Sequence, residues 1–150
     1  MKWKEGMFFA LRILAGALFI FGGLSKLCQP SAYFQVVIGF YRAVPDSLIP
    51  VVAVVVPWVE LICGTFLLLG YWKDGAAGVL ALLTGIFQIM LAQALLRRLP
   101  MDECGCFGGN FVHLTIYQSF ALDTLLVLAL IQLATTDENP FSLDNLIPKP

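Results

Sequence analysis

Charge is what this sequence has least of. Only 13% of its 150 residues are Asp, Glu, Lys or Arg, against about a quarter in an average soluble domain. Nine basic and ten acidic residues leave a net charge of −1. With no basic stripe to grip a phosphate backbone, no nucleic-acid partner is expected. Histidine is reduced to a single residue, His113, and there are four cysteines. Two neighbouring thiols and one imidazole fall short of the four ligands of an ordinary structural zinc site, so no metal is expected. No internal repeat is evident, and a chain of this length supports one domain, taken as residues 1–150.

What fills the chain instead is hydrocarbon: 59% of the residues are hydrophobic. Bilayer residence accounts for this, because lipid tolerates apolar side chains on every face of a helix. Residues 8–27 are almost wholly apolar and long enough to cross about 30 Å of hydrocarbon. A cleaved signal peptide would read similarly, but Arg12 interrupts the run and no small-x-small cleavage site follows, so a retained span is expected. Further spans are expected at about 51–69, 76–96 and 114–133, with a polar, proline-bearing tail over 134–150. Gln29-Pro30-Ser31 breaks the first helix. Tyr33 to Tyr41 is aromatic and β-branched but too short to span, which suits a segment at the membrane interface. Pro50 opens the second span. Pro57 lies inside it and predicts a kink or loosened turn. Residues 70–75 read as a tight turn with Tyr71 and Trp72 as interface anchors. The expected fold is therefore all-α: an integral-membrane, antiparallel four-helix transmembrane bundle with an interfacial segment between helices 1 and 2.

An even number of spans puts both termini on one side. With the N-terminus inside, Lys2, Lys4, Lys73 and Lys149 are internal, and Arg12 snorkels inward. Lys26, Arg42, Arg97 and Arg98 are then external. The positive-inside rule leans by one charge to this arrangement. It places the connection after the third span outside, on the same face as Cys28.

The few charges inside the spans stand out. Arg12, Gly16, Phe19, Gly23 and Lys26 are spaced by four, three, four and three, so they form one stripe on the first helix. Its glycines invite close approach by a neighbour, and its charges direct it to the bundle interior. Glu60 and Asp123 lie near the middle of the second and fourth spans. An ionised carboxylate at that depth costs a few kcal/mol or more, so each needs a counter-charge. Arg12, as the deepest cation, is the expected partner for one of them. Gln88 and Thr84 share a face of the third span and can add hydrogen bonds. Arg12, Lys26, Glu60 and Asp123 thus form an intramembrane polar network, read either as a structural tie or as a proton path or cofactor pocket.

The chemistry concentrates in Met101-Asp102-Glu103-Cys104-Gly105-Cys106-Phe107-Gly108-Gly109-Asn110. An oxidised Cys-Gly-Cys is a small ring whose central glycine supplies the unusual backbone it requires. Strained, exposed disulfides have the higher reduction potentials of labile, catalytic bonds. Asp102 and Glu103 oppose thiolate formation, whereas Arg97 and Arg98 favour it. A purely structural disulfide fits the same residues. Cys28 is a candidate partner thiol, Cys63 reads as a small buried hydrophobe, and His113 is a candidate proton acceptor at the mouth of the fourth span.

The stripe from Arg12 to Lys26, then Pro57-Trp58-Val59-Glu60 with Gly64 and Leu67-Leu68-Leu69-Gly70, and then Cys104-Gly105-Cys106-Phe107-Gly108 resemble the DoxX-like membrane proteins, and the cysteine loop resembles their MauE branch. The likeness runs from about Arg12 to Leu133. It implies a multi-pass protein of the bacterial inner membrane with the cysteine loop in the periplasm. It also implies a part in disulfide formation or isomerisation during maturation of methylamine dehydrogenase, whose small subunit is rich in disulfides, alongside a thioredoxin-like partner. Carried over by residue, Cys104 and Cys106 take the redox position and Arg12, Lys26 and Glu60 the polar positions of the bundle. The expected function is that of a membrane thiol–disulfide oxidoreductase or its accessory, passing electrons to a membrane quinone near the same end. The rival is a non-enzymatic membrane protein that binds or transports a small molecule or lipid, with a structural cysteine loop.

Overall fold

A computed structural model describes residues 2–97 and 115–136. They form five helices in order: α1 Lys2–Leu27, α2 Ser31–Tyr41, α3 Ile49–Leu69, α4 Lys73–Leu96 and α5 Ile116–Thr135. No strand occurs among the described residues. Four helices, over Glu5–Leu27, Ile49–Leu69, Lys73–Leu96 and Ile116–Thr135, are long and apolar enough to cross a membrane. The all-α, four-span architecture read from the sequence is the one observed. The cysteine loop with Cys104, Cys106 and His113, and the tail from residue 137 onward, lie outside the described residues.

The helix ends differ from expectation in instructive ways. α1 starts at Lys2, six residues early, with Glu5 in the first turn where the helix dipole favours an acid. The turn expected over 70–75 is shorter, because α4 begins at Lys73. Gly70 ends α3 in the left-handed conformation, with φ 70°, as helix termini favour. The Lys73 ammonium then donates to the Thr136 carbonyl and lies 3.2 Å from Asp74. That contact holds the start of α4 against the end of α5. α5 itself runs two residues later than expected. The Gln118 side-chain carbonyl accepts the Thr115 backbone N–H at 3.2 Å, one half of a capping box.

The spans pack as a ring. α1 lies along α3, α3 meets α4, α4 lies along α5, and α1 also touches α5. The α1–α3 seam is the tightest, and the sequence stripe on α1 forms it. A Cβ on Gly16 would sit 3.0 Å from the Gly64 carbonyl oxygen, and one on Gly23 only 2.8 Å from that of Pro57. These pairings are antiparallel. α3 runs unbroken through Pro57, which is buried against this seam. The Pro57 ring removes the donor that would satisfy the Ala53 carbonyl within the helix.

α2 covers one end of the ring. Phe34, Val37, Ile38 and Tyr41 are its buried residues, at the i, i+3, i+4, i+7 spacing of one helix face. Its other side is also apolar, with Val36 and Phe40 exposed. Phe34, Val37, Ile38 and Tyr41 join Ile49, Ala53, Leu91 and Ala94 in one core cluster. A second cluster, built from Ala15, Phe19, Leu67, Ala77, Leu80, Leu130 and Leu133, fills the opposite end. The outward surface of the bundle is hydrocarbon, for example Leu14, Val54, Leu82, Ile89 and Leu125, while Lys26, Glu60, Thr84 and Asp123 are buried. Polar groups inside and apolar groups outside is the arrangement that a bilayer selects.

Candidate functional site

Between the two core clusters lies a cavity of about 320 Å³. Every helix contributes to its wall: Phe19 and Lys26 from α1, Phe34 from α2, Glu60 from α3, Phe87 from α4 and Asp123 from α5. The lining is hydrocarbon and aromatic, except for Lys26, Glu60, Thr84 and Asp123. A pocket of this size with apolar walls and a few placed polar groups is the usual form of a small-molecule site.

Its electrostatic centre is the Lys26–Glu60 pair. The Lys26 ammonium donates to both carboxylate oxygens of Glu60 at 2.7 Å. The two side chains are only 5% and 11% exposed. The Phe34 ring centroid lies 5.4 Å from the same ammonium, within cation–π range. The pairing follows from the helix register. Gly23 packs against Pro57 and Leu61, so Lys26, one turn further along α1, has only to lean back along α3 to meet Glu60. A buried ion pair of this geometry offsets the desolvation of both groups, and an unpaired member would not be tolerated.

The remaining charges of the expected network do not converge on one place. Asp123 is buried and lines the same cavity as Lys26 and Glu60. Arg12 is buried elsewhere, 5.3 Å from the Phe9 ring. It is fourteen residues from Lys26 on one helix, or about 21 Å along the axis. The cation of Glu60 is therefore Lys26, and Arg12 is not in the wall of the cavity. Gln88 does bond across the bundle, donating to the Thr124 hydroxyl at 2.7 Å, and Thr124 donates in turn to the Phe120 carbonyl. Thr84 is a wall residue of the cavity.

Of the thiols, Cys28 is free and exposed just beyond α1, and Cys63 is free and partly buried in α3 beside the second core cluster. Among the described residues, no three His, Cys, Asp or Glu side chains converge on a point that could hold a metal ion. Arg97 and Thr115 flank the segment that carries Cys104 and Cys106. They adjoin α4 and α5 at the end where Phe34, Ile49, Leu91 and Ala94 pack. That is the end where Cys28 follows α1. Sequence reasoning missed the aromatic wall, Phe34 and Phe87. The only signal for Phe34 was the 34, 37, 38, 41 periodicity of α2, which marks a buried face without saying what it covers.

An inside-out bundle of four spans, with a buried ion pair in the wall of an internal cavity, defines a small multi-pass membrane protein. The chain belongs to the MauE family: the family model, described as methylamine utilisation protein MauE, matches residues 4–136. It is 37% identical over 101 residues to the methylamine utilization protein MauE of Paracoccus denitrificans. Against the protein of the same name from Paracoccus versutus it is 36% identical over 101 residues. Each match covers 67% of this chain and 54% of the relative, so the chain aligns with about half the length of these curated relatives. No solved structure gives a significant match.

Proposed function

We propose that this protein is a thiol–disulfide redox component of the bacterial inner membrane, acting through Cys104 and Cys106 at the periplasmic face. The loop disulfide accepts two electrons and two protons from a dithiol of a client or a thioredoxin-like carrier. A client thiolate attacks one loop sulfur, the mixed disulfide resolves, the client leaves oxidised, and the loop is left as a dithiol. Membership of a family described by methylamine utilisation makes a disulfide-rich protein of that process, such as methylamine dehydrogenase, the natural client. The observation that carries this reading is positional. The helix ends flanking the Cys-Gly-Cys segment lie at the end of the bundle where Cys28 is exposed, so a third cysteine is available at that end. Lys26, Glu60 and Asp123 organise the membrane-embedded part below that end, and Arg12 serves the opposite end.

The test is to express Cys104→Ser and Cys106→Ser variants in cells and trap mixed disulfides by acid quenching. The expected result is a covalent adduct with a thiol protein that dissolves on reduction and is absent when both cysteines are replaced. Loop thiols that stay reduced in native membranes, with no adduct from either variant, would overturn the proposal. The cavity favours a second reading, in which the protein binds or transports a small lipophile and the loop is structural. Ligand uptake into proteoliposomes that survives replacement of both loop cysteines would select it.

A further inference from the structure

We propose that the cavity between the two core clusters is the binding site of a lipid-soluble quinone, held by Lys26 and Glu60. The inference rests on the thiol–disulfide reading above and names the electron acceptor that reading requires. When the Cys104–Cys106 dithiol is oxidised to its disulfide, two S–H bonds break and one S–S bond forms. Two electrons and two protons are released. A quinone takes up all four and leaves as the quinol, with two new O–H bonds, so the step balances with no further reactant.

The cavity itself selects for this chemistry. Its walls come mostly from the four apolar spans, with α2 closing one side, and are hydrocarbon and aromatic, so the occupant must partition into lipid. The Lys26 ammonium and the Glu60 carboxylate already neutralise each other at 2.7 Å, and the wall also carries Asp123. An anionic head would face both carboxyl groups. A neutral head that both accepts and donates hydrogen bonds finds partners here without displacing the ion pair. Oxidised quinone carries carbonyl oxygens, which accept hydrogen bonds. The Lys26 ammonium has three N–H donors, and the Glu60 carboxylate engages it from one side at 2.7 Å. Reduced quinol carries hydroxyls, which donate, and Glu60 and Asp123 are acceptors in the same wall. One site therefore offers a hydrogen-bond partner to both redox forms. Phe34 and Phe87 supply aromatic surface for a flat ring. A volume near 320 Å³ suits a one- or two-ring head, not a large nucleotide cofactor.

The experiment uses the full chain in lipid nanodiscs and a short-chain ubiquinone analogue as probe, both radiolabelled and as an azido photoprobe. Saturable binding of one probe per chain is expected, with photolabelling of peptides containing residues 18–26 or 83–90. Filling the cavity with Val56→Trp or Leu126→Trp should weaken binding at least tenfold. So should the double change Lys26→Met/Glu60→Met, which removes the polar pair without leaving either charge unpaired. Each variant is first shown to keep its helical circular dichroism and its melting transition. Binding that is non-saturable, or unchanged in the folded filled-cavity variants, would overturn the proposal. So would a tightly held acyl lipid, seen by native mass spectrometry, that the quinone fails to displace. Disulfide exchange with a small reduced dithiol is measured in parallel and requires no acceptor. Exchange without quinone binding overturns this inference and leaves the thiol reading intact. Quinone binding without exchange supports the site and removes the thiol reading.

Discussion

Lys26 and Glu60 show how a residue's meaning depends on its partner. Both stand out in the sequence as charges in apolar surroundings, but the deepest cation there is Arg12, and depth alone does not decide pairing. The register of α1 on α3, set at Gly16 and Gly23, brings Lys26 and not Arg12 within 2.7 Å of Glu60. Removing one member of such a pair leaves a buried charge alone. Lys26→Met should therefore destabilise the bundle by about 3–5 kcal/mol, whereas Lys26→Met/Glu60→Met should recover most of that loss. Thermal unfolding in detergent, followed by circular dichroism, checks both. A double variant no more stable than the single one would show that the loss does not come from leaving Glu60 unpaired.

At the scale of the element, the glycine stripe on α1 is the part of the fold most directly readable from the sequence. A three–four spacing with glycine predicts a close helix–helix seam, and the seam is there. Its partner was not readable, since any neighbouring span could have filled the role. Gly23→Ala places a methyl 2.8 Å from the Pro57 carbonyl oxygen, so α1 and α3 must separate, at a cost of about 1–3 kcal/mol. Gly78 on α4 meets nothing within 4 Å of an added Cβ. Gly78→Ala should be neutral or should stabilise by up to about 1 kcal/mol through helix propensity. The two variants, melted side by side, separate packing from propensity. Another element-scale contact escaped the sequence reading. The sequence pattern puts Lys73 in a turn, yet its buried side chain fastens the start of α4 to the Thr136 carbonyl at the end of α5. Lys73→Met should loosen the last turn of α5. Faster hydrogen exchange over residues 130–136, with little change in α3, is the expected signature.

For the whole molecule, the governing fact is the inversion of polarity, with hydrocarbon outside and charge within. The ends of α4 and α5 that flank the cysteine segment lie at the end of the bundle where α2 packs and Cys28 is exposed. A membrane-impermeant thiol reagent applied to intact cells should therefore modify Cys28, Cys104 and Cys106 from one side, the last two only after reduction if they are paired. Cys63, within a span and partly buried, should stay unmodified until the membrane is solubilised. Labelling of Cys28 and the loop cysteines from opposite sides would contradict an up-and-down bundle of four spans.

The sequence by itself determined the number and approximate limits of the spans, because their length and apolar content are local and the bilayer imposes a minimum on both. It also marked Arg12, Lys26, Glu60 and Asp123 as charges that turn into the bundle, because the apolar runs enclosing them leave them nowhere else to go, but it did not mark the buried Lys73. Tertiary structure alone decided that Lys26 meets Glu60, that Asp123 shares their cavity while Arg12 is buried outside its wall beside Phe9, and that α2 helps to line a space between two core clusters. These are properties of helix register and rotation. Any apolar face can pack on any other, so the hydrophobic pattern does not encode them. Only the mutual fit of Gly16, Gly23 and Gly64 across one seam, and the closing of the ring around it, fixes which side chains share a space.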